Sequence, residues 1–262
     1  MNDPTLDGPD QGLSGWADPV ARLRQAIEKD EFELYCQPIL ALGGQGGYPM
    51  AEVLVRMREE EKALLPPGEF LPVLEHYRML GELDRWVVRN TLQRLAAGSR
   101  IARLTVNLSA ESLANADFPR FIGAQAARHH VATERLLFEI DESDALREPQ
   151  LAAAFTRAYH AMGGQVLVDG FGRRAVSTAI IRQLGVDFVK VDGSITRKIV
   201  KSDVARNKMN AVLRASQSLR FGVVAECVEE QAVLSRLKQL GVGYAQGFGI
   251  FQPHPIEKIA VS

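Results

Sequence analysis

The stretch FELYCQPILALGGQGGYPMAEVLVRM, residues 32–57, decides the fold. Two runs rich in apolar, β-branched and aromatic residues, Phe32–Leu40 and Ala51–Met57, flank the segment ALGGQGGYP. That connection is too short and too rich in glycine for a helix, so the pair predicts an antiparallel hairpin. Outward from the hairpin the pattern changes. Six further strand-like runs follow at Arg103–Leu108, Leu136–Ile140, Gln165–Val168, Phe188–Val191, Gly222–Val228 and Tyr244–Phe251, most of them separated by helical segments. FLPVLEHYRMLGELDRWVVRNTLQRLAAG, residues 70–98, is long enough for two helices. PQLAAAFTRAYHAMGG, DVARNKMNAVLRASQSLRFG and EEQAVLSRLKQLGVG each close on glycine, the residue expected just past a helix C-terminus. Strands alternating with helices predict a parallel α/β sheet. Eight of them in roughly 245 residues favour a modified TIM (β/α)8 barrel with one antiparallel strand.

Composition narrows the class. The chain has 262 residues, 46% hydrophobic and 24% charged, which suits one large soluble domain. Thirty-one Lys and Arg against 32 Asp and Glu leave a net charge of -1, which argues against a general nucleic-acid binder. No apolar run approaches the roughly 18 residues of a membrane span, and the first residues lack the basic start and apolar run of a signal peptide. Cys36 and Cys227 sit in apolar runs, as reduced thiols in the cytoplasm do. Residues 1–17 are rich in Gly, Pro and Asp and read as a flexible tail, leaving 18–262 as the barrel domain. Asp18-Pro19 is a helix start, with Val20, Leu23, Ala26 and Ile27 on one face.

In such a barrel, chemistry gathers where the strands end. The residues expected there are Glu52, Asn107, Glu139 with Asp141 and Glu142, Asp169, Lys190 with Asp192, Glu226 with Glu229, and Gln246. Taken singly, each acid serves equally well as a helix cap or a solvated charge, and Asp169 before Gly170 reads equally as a turn. Number and position count for more: nearly every strand ends in a charged or amide residue. Carboxylates converging on one mouth repel each other unless a cation sits among them. Oxygen ligands without a His or Cys cluster suit Mg2+ or Mn2+ better than zinc. The sequence has no nucleophile elbow, Walker-type loop or HExxH motif.

These residues resemble the EAL domain family, over roughly residues 20–256. YCQPI (Tyr35–Ile39) meets the opening motif, and Glu52-Val53-Leu54 followed by Arg56 meets the Glu-Ala-Leu signature. PPGEFLPVLE, LDRWV around Asp84, VNLSAESL, FEIDE, KVDGS, AECVEE and YAQGFGIFQP follow in order. From Asp169 it is 21 residues to Lys190, 36 more to Glu226 and 20 more to Gln246. The resemblance implies a bacterial module acting on cyclic di-GMP, cleaving it to linear pGpG by in-line attack of water on phosphorus, with two divalent cations offsetting charge. It implies metal ligation by Glu52, Asn107, Glu139, Asp169 and Glu226. Lys190 and Glu226 would position and activate the water, Glu142 and Glu229 would brace a loop, and Gln246 would lie beside the metals. Gln37, Leu54, Arg56, Asp84, Asp192 and Pro253 would touch the dinucleotide. A homodimer and a signalling-protein partner are implied too.

Departures from the family pattern shape the functional expectation. The family's Asp-Asp-Phe-Gly reads Asp169-Gly170-Phe171-Gly172, so the second Asp, which serves the second metal, is missing. The loop that follows carries Arg173 and Arg174 in place of its usual small residues, and Cys227 stands where glycine is usual. The expectation is a cyclic di-GMP receptor with little or no hydrolysis, in which Arg173 or Arg174 pairs with the ligand phosphates. An active phosphodiesterase and an adapter without nucleotide binding are the alternatives.

Overall fold

The computed structural model describes residues 16, 18–44, 46–58, 64–99, 101–173 and 176–259. The expected tail, Trp16 apart, and Arg174 lie outside the described residues. The strands are β1 (Phe32–Ala41), β2 (Met50–Arg58), β3 (Leu64–Leu65), β4 (Arg103–Leu108), β5 (Leu136–Asp141), β6 (Gln165–Phe171), β7 (Phe188–Val191), β8 (Gly222–Ala225), β9 (Tyr244–Ala245) and β10 (His254–Pro255). Eight of them close a ring in the order β1-β2-β4-β5-β6-β7-β8-β9, with β9 returning to β1. Neighbours from β2 round to β9 pair in parallel, whereas β1 runs antiparallel to both β2 and β9. The glycine-rich connection therefore does what its length requires. β3 and β10 are short additions to β2 and β1 that the strand pattern did not announce.

Helices pack outside the ring. α1 (Pro19–Glu28) precedes it, its N-terminus capped by Asp18, which accepts from the Ala21 N–H at 2.9 Å. α1 buries Leu23, Ala26 and Ile27, the face its spacing predicts. α2 (Pro67–His76) and α3 (Leu80–Ala96) follow the hairpin, and α4 (Ala110–Ala114) and α5 (Phe118–Arg128) follow β4. α6 (Glu142–Arg147) and α7 (Pro149–His160) follow β5; α8 (Thr178–Leu184) follows β6. α9 (Gly193–Thr196) and α10 (Asp203–Leu219) follow β7, and α11 (Gln231–Leu240) follows β8. α11 closes on Gly241 as expected, but α10 closes on Arg220, which itself takes a left-handed φ of 62° ahead of Gly222.

Two strand-like runs are shorter than expected. β8 stops at Ala225 and β9 at Ala245, because the segments beyond them leave the ladder and pack backbone against backbone. A Cβ on Gly247 would meet Val228 N at 2.2 Å, and one on Gly249 would meet Glu229 O at 2.3 Å. Only glycine permits that approach. Apolar Phe248, Ile250 and Phe251 thus belong to a loop across the barrel mouth.

The barrel interior is plugged below its midpoint by Ile39, Met50, Leu137, Leu167, Phe188 and Val224, with Tyr244 packed against them. A second, larger apolar shell fills the space between ring and helices. Each such side chain stabilises by about 1.5–3 kcal/mol on burial. The plug also sets the floor of the site.

Candidate functional site

Side chains on one face of a strand recur every second residue. One step above the plug, that rule lines up a ring of polar groups. Met50 leads to Glu52, Leu137 to Glu139, Leu167 to Asp169, Phe188 to Lys190, Val224 to Glu226 and Tyr244 to Gln246. On β4 the same face carries Thr105 and then Asn107. On β1, which runs the other way, the step is backwards, from Ile39 to Gln37. The antiparallel strand therefore still contributes its glutamine to the ring.

Lys190 is the hub. It is 1% exposed, and its ammonium donates to Glu52 Oε2 and Glu139 Oε2, each at 2.8 Å. Glu226 Oε1 stands 3.3 Å away and Asp169 Oδ1 3.9 Å away. Glu52 also accepts from Asn107 Nδ2 at 3.0 Å and Gln246 Nε2 at 2.8 Å. Gln246 Nε2 reaches Gln37 Oε1 at 3.1 Å, and Gln37 Nε2 donates to the Phe251 carbonyl at 2.8 Å, which ties the mouth loop to β1. The Thr105 hydroxyl donates to Glu139 Oε1. The resemblance did not assign Thr105. Its signal was available two residues before Asn107 on the same face.

The electrostatics follow from burial. Burial pulls the Lys190 proton off, but Glu139, Glu52, Asp169 and Glu226 together outweigh it and hold the ammonium charged. Burial would also protonate Glu52, but Lys190 with the bonds from Gln246 and Asn107 prevails and keeps its carboxyl low. Glu139, buried and facing Glu52, is pushed up to about 8. Burial likewise pushes Glu226 up to about 7, against the pull of Lys190.

Glu52 is the third residue of β2 rather than its end, because the β1–β2 ribbon runs on past the rim. That extension puts Leu54 and Arg56 on the same face as Glu52, with the Arg56 guanidinium 5.6 Å from the centre of the Tyr35 ring. β10 pairs with β1 at Tyr35 and Cys36, which sets Pro253 beside the same ledge. Asp84 is buried, and its carboxylate accepts from both the backbone N–H and the hydroxyl of Ser109. This makes it a support for the loop after β4. Glu142 accepts from the Gly172 N–H at 3.1 Å and braces the loop after β6, so it positions backbone. Asp141 caps α6 and Asp192 caps α9. A cavity of about 150 Å³ opens above the ring, lined by Gln37, Glu52, Glu226, Cys227, Glu229, Gln246, Gly247 and Phe248.

Near the end of β6, at the rim, Gly170 has a φ of +66°. Arg173 covers it: a Cβ there would lie 2.8 Å from Arg173 Nη2. Arg173 Nε donates to Asp192 Oδ2 at 2.8 Å, and its Nη1 lies 4.0 Å from Asp141 Oδ2.

Among known families, a family model for the EAL domain matches residues 20–253. The chain belongs to the EAL domain family. It is 32% identical over 238 residues to the cyclic di-GMP phosphodiesterase PdeF of Escherichia coli, covering 90% of this chain and 32% of PdeF. It is 30% identical over 244 residues to the cyclic di-GMP phosphodiesterase PdeB of Shewanella oneidensis, covering 92% of this chain and 28% of PdeB. It thus spans about a third of the length of these curated relatives. Among solved structures, the FimX EAL domain from Pseudomonas aeruginosa bound to c-di-GMP superposes with a TM-score of 0.85 at 27% identity, covering 91% of this chain and 97% of that one.

The donor chemistry of the ring suits a divalent ion. Glu52, Asn107, Glu139 and Asp169 offer oxygen only, and Asp169 Oδ1 is buried with no hydrogen-bond partner. As arranged, Glu52 and Glu139 turn to Lys190, so among the described residues no three acidic, His or Cys groups close into a cage. Gly170 has no side chain to offer, and a guanidinium stands over it. No helix among the described residues is long and apolar enough to cross a membrane.

Proposed function

We propose that this EAL domain is a cyclic di-GMP receptor that binds the dinucleotide with little or no hydrolysis. The observation that carries the reading is at the β6 rim, where Gly170 brings no carboxylate and Arg173 lies over it. Loss of one electrostatic contact to a transition state typically costs about 10²–10³ in rate. Losing a second ion's site removes more than one such contact.

Binding is supported by what remains. The cavity above the ring opens to solvent between the ring and Phe248. The ligand would extend along the β1–β2 ledge, with Leu54 offering apolar contact and Arg56 positive charge. Gln37 and Pro253 flank that path, and Asp192 holds the opposite rim. Asp84, bonded through one oxygen to Ser109, stands as the further expected contact to the dinucleotide. Mg2+ or Mn2+ held by Glu52, Asn107, Glu139, Asp169 and Glu226 would offset phosphate charge. The FimX domain solved with c-di-GMP bound supports ligand binding by this barrel. The reading carries with it a cytoplasmic setting, a downstream signalling partner and a second copy of the chain as dimer partner.

A second reading, an active phosphodiesterase, is favoured by Glu226. Its carboxyl is pushed up to about 7 by burial and lies beside Lys190, as suits a general base near neutral pH. PdeF and PdeB carry that activity in their names. Calorimetric titration with cyclic di-GMP, with and without Mn2+, combined with chromatography for pGpG, separates the readings. Saturable binding without pGpG supports the receptor, and multiple turnovers overturn it in favour of the enzyme. No binding under any metal condition overturns both and leaves an adapter.

A further inference from the structure

We infer that Arg173 is a built-in counter-cation, whose guanidinium balances Asp141 and Asp192 at the barrel rim and keeps a second divalent ion out. The inference rests on the receptor reading for its consequence, since an ion kept out is what would leave the site binding without turnover. Its grounds are local. Asp192 has both oxygens engaged, Oδ1 with the Ser194 N–H at 2.9 Å and Oδ2 with Arg173 Nε at 2.8 Å. Asp141 Oδ1 accepts from the Ser143 N–H at 2.7 Å, and its Oδ2 faces Arg173 Nη1 at 4.0 Å. The hydrogen bond to Asp192, then the charges of Asp192, Asp141 and Asp169, tighten the arginine's hold on its proton. A guanidinium stays charged, carries only donors and offers no lone pair, so it repels a metal ion and cannot ligate one.

Arg173 is more than a solvated loop charge, although its side chain is 57% exposed. Its backbone is held at both ends of the preceding residue. The Gly172 N–H donates to Glu142 at 3.1 Å, and the Gly172 carbonyl accepts from Lys208 Nζ at 3.0 Å. Arg173 N itself donates to the Gly170 carbonyl at 3.3 Å. The turn thus starts Arg173 at a fixed point and returns its guanidinium over Gly170. It follows that replacing Gly170 by aspartate alone fails to build a second ion site. The new carboxylate would be placed against the guanidinium, which would take it as a third acidic partner.

The test counts Mn2+ bound per chain on the full chain without nucleotide, from the electron paramagnetic resonance signal of free Mn2+ during titration. A chain that fails to bind cyclic di-GMP still reports this count, so failure of the receptor reading remains distinguishable. The expected result is one more Mn2+ per chain in Arg173→Ala than in the unaltered protein. Gly170→Asp should add none, while Gly170→Asp combined with Arg173→Ala should add one, bound more tightly than in Arg173→Ala alone. Equal counts in the unaltered protein and Arg173→Ala overturn the inference, as does Gly170→Asp alone reaching the count of the double variant. Because Arg173 is more than half exposed, Arg173→Ala is expected to fold, and circular dichroism melts check that it does.

Discussion

Lys190 and Arg173 are two cations set among carboxylates, one at the centre of the barrel and one at its rim. Lys190 is 1% exposed and meets four acidic side chains. Arg173 is 57% exposed and bonds directly to one, Asp192, with Asp141 further off. The chemistry is similar, but the surroundings reverse its weight. In the buried ring, taking away the cation strands charges that water cannot reach, so the fold depends on it. At the rim, water screens what the arginine leaves behind, and the fold is nearly indifferent. Function can therefore diverge at the rim while the ring stays intact.

The sharpest way to break that contrast is Lys190→Met. It fills the space but leaves the buried Glu52 carboxylate without the counter-charge that keeps it low. Removing one partner of a buried ion pair costs about 3–5 kcal/mol. Urea unfolding at neutral pH should show a loss of that size, and a loss below 1 kcal/mol would mean that the ring does not depend on its hub.

Asp84 tests buried charge away from the ring. Burial pushes its carboxyl up to about 6 from an ordinary 3.8, despite the bonds from Ser109. Between those values the folded chain keeps a proton that the unfolded chain has released. Its contribution is therefore most favourable below pH 3.8 and is lost as the pH rises to about 6. A shift of that size is worth on the order of 3 kcal/mol at neutral pH. Asp84→Asn keeps an oxygen for Ser109 and removes the charge, so it should stabilise the chain at pH 7 by an amount that fades towards pH 4. A melting temperature that falls at pH 7 would contradict the assignment.

A smaller effect is expected at Thr105. Thr105→Val keeps the shape and removes the hydroxyl that donates to Glu139. A buried acceptor left without its donor costs about 1–3 kcal/mol. Denaturant titration should place Thr105→Val between Lys190→Met and any substitution at the rim.

The ring was largely legible in the sequence and the rim was not, for physical reasons. Glu139, Lys190 and Glu226 each follow an apolar residue by two positions, so strand periodicity alone aims them at the same space as the plug. The antiparallel β1 was legible from its glycine-rich connection, but Gln37 needed the reversed step that only the ring closure reveals. Two apolar runs misled at their ends: Phe248 to Phe251 resembles strand, yet Gly247 and Gly249 hold that segment against the backbone of the neighbouring loop. Glu142 braces a loop, as the resemblance implies, whereas the bond of Asp84 to Ser109 joins α3 to the loop after β4, a pairing of residues 25 positions apart that no pattern along the chain displays. The sequence exposed the Gly170 change, but the return of Arg173 over it depends on a turn pinned by Glu142 and Lys208, residues 30 and 36 positions away.

The smallest expected effect completes the contrast. Arg173→Ala removes an ion pair with Asp192 that is more than half exposed on the arginine side. Exposed pairs of this kind are worth about 0–1 kcal/mol. Asp192 keeps its Ser194 bond and its place at the start of α9, and Gly172 keeps its ties to Glu142 and Lys208. Urea unfolding of Arg173→Ala should therefore lie within about 1 kcal/mol of the unaltered chain, several-fold less than Lys190→Met. A loss comparable with that of Lys190→Met would mean that the rim arginine is part of the fold's own support, and the division between a fixed ring and a variable rim would fail.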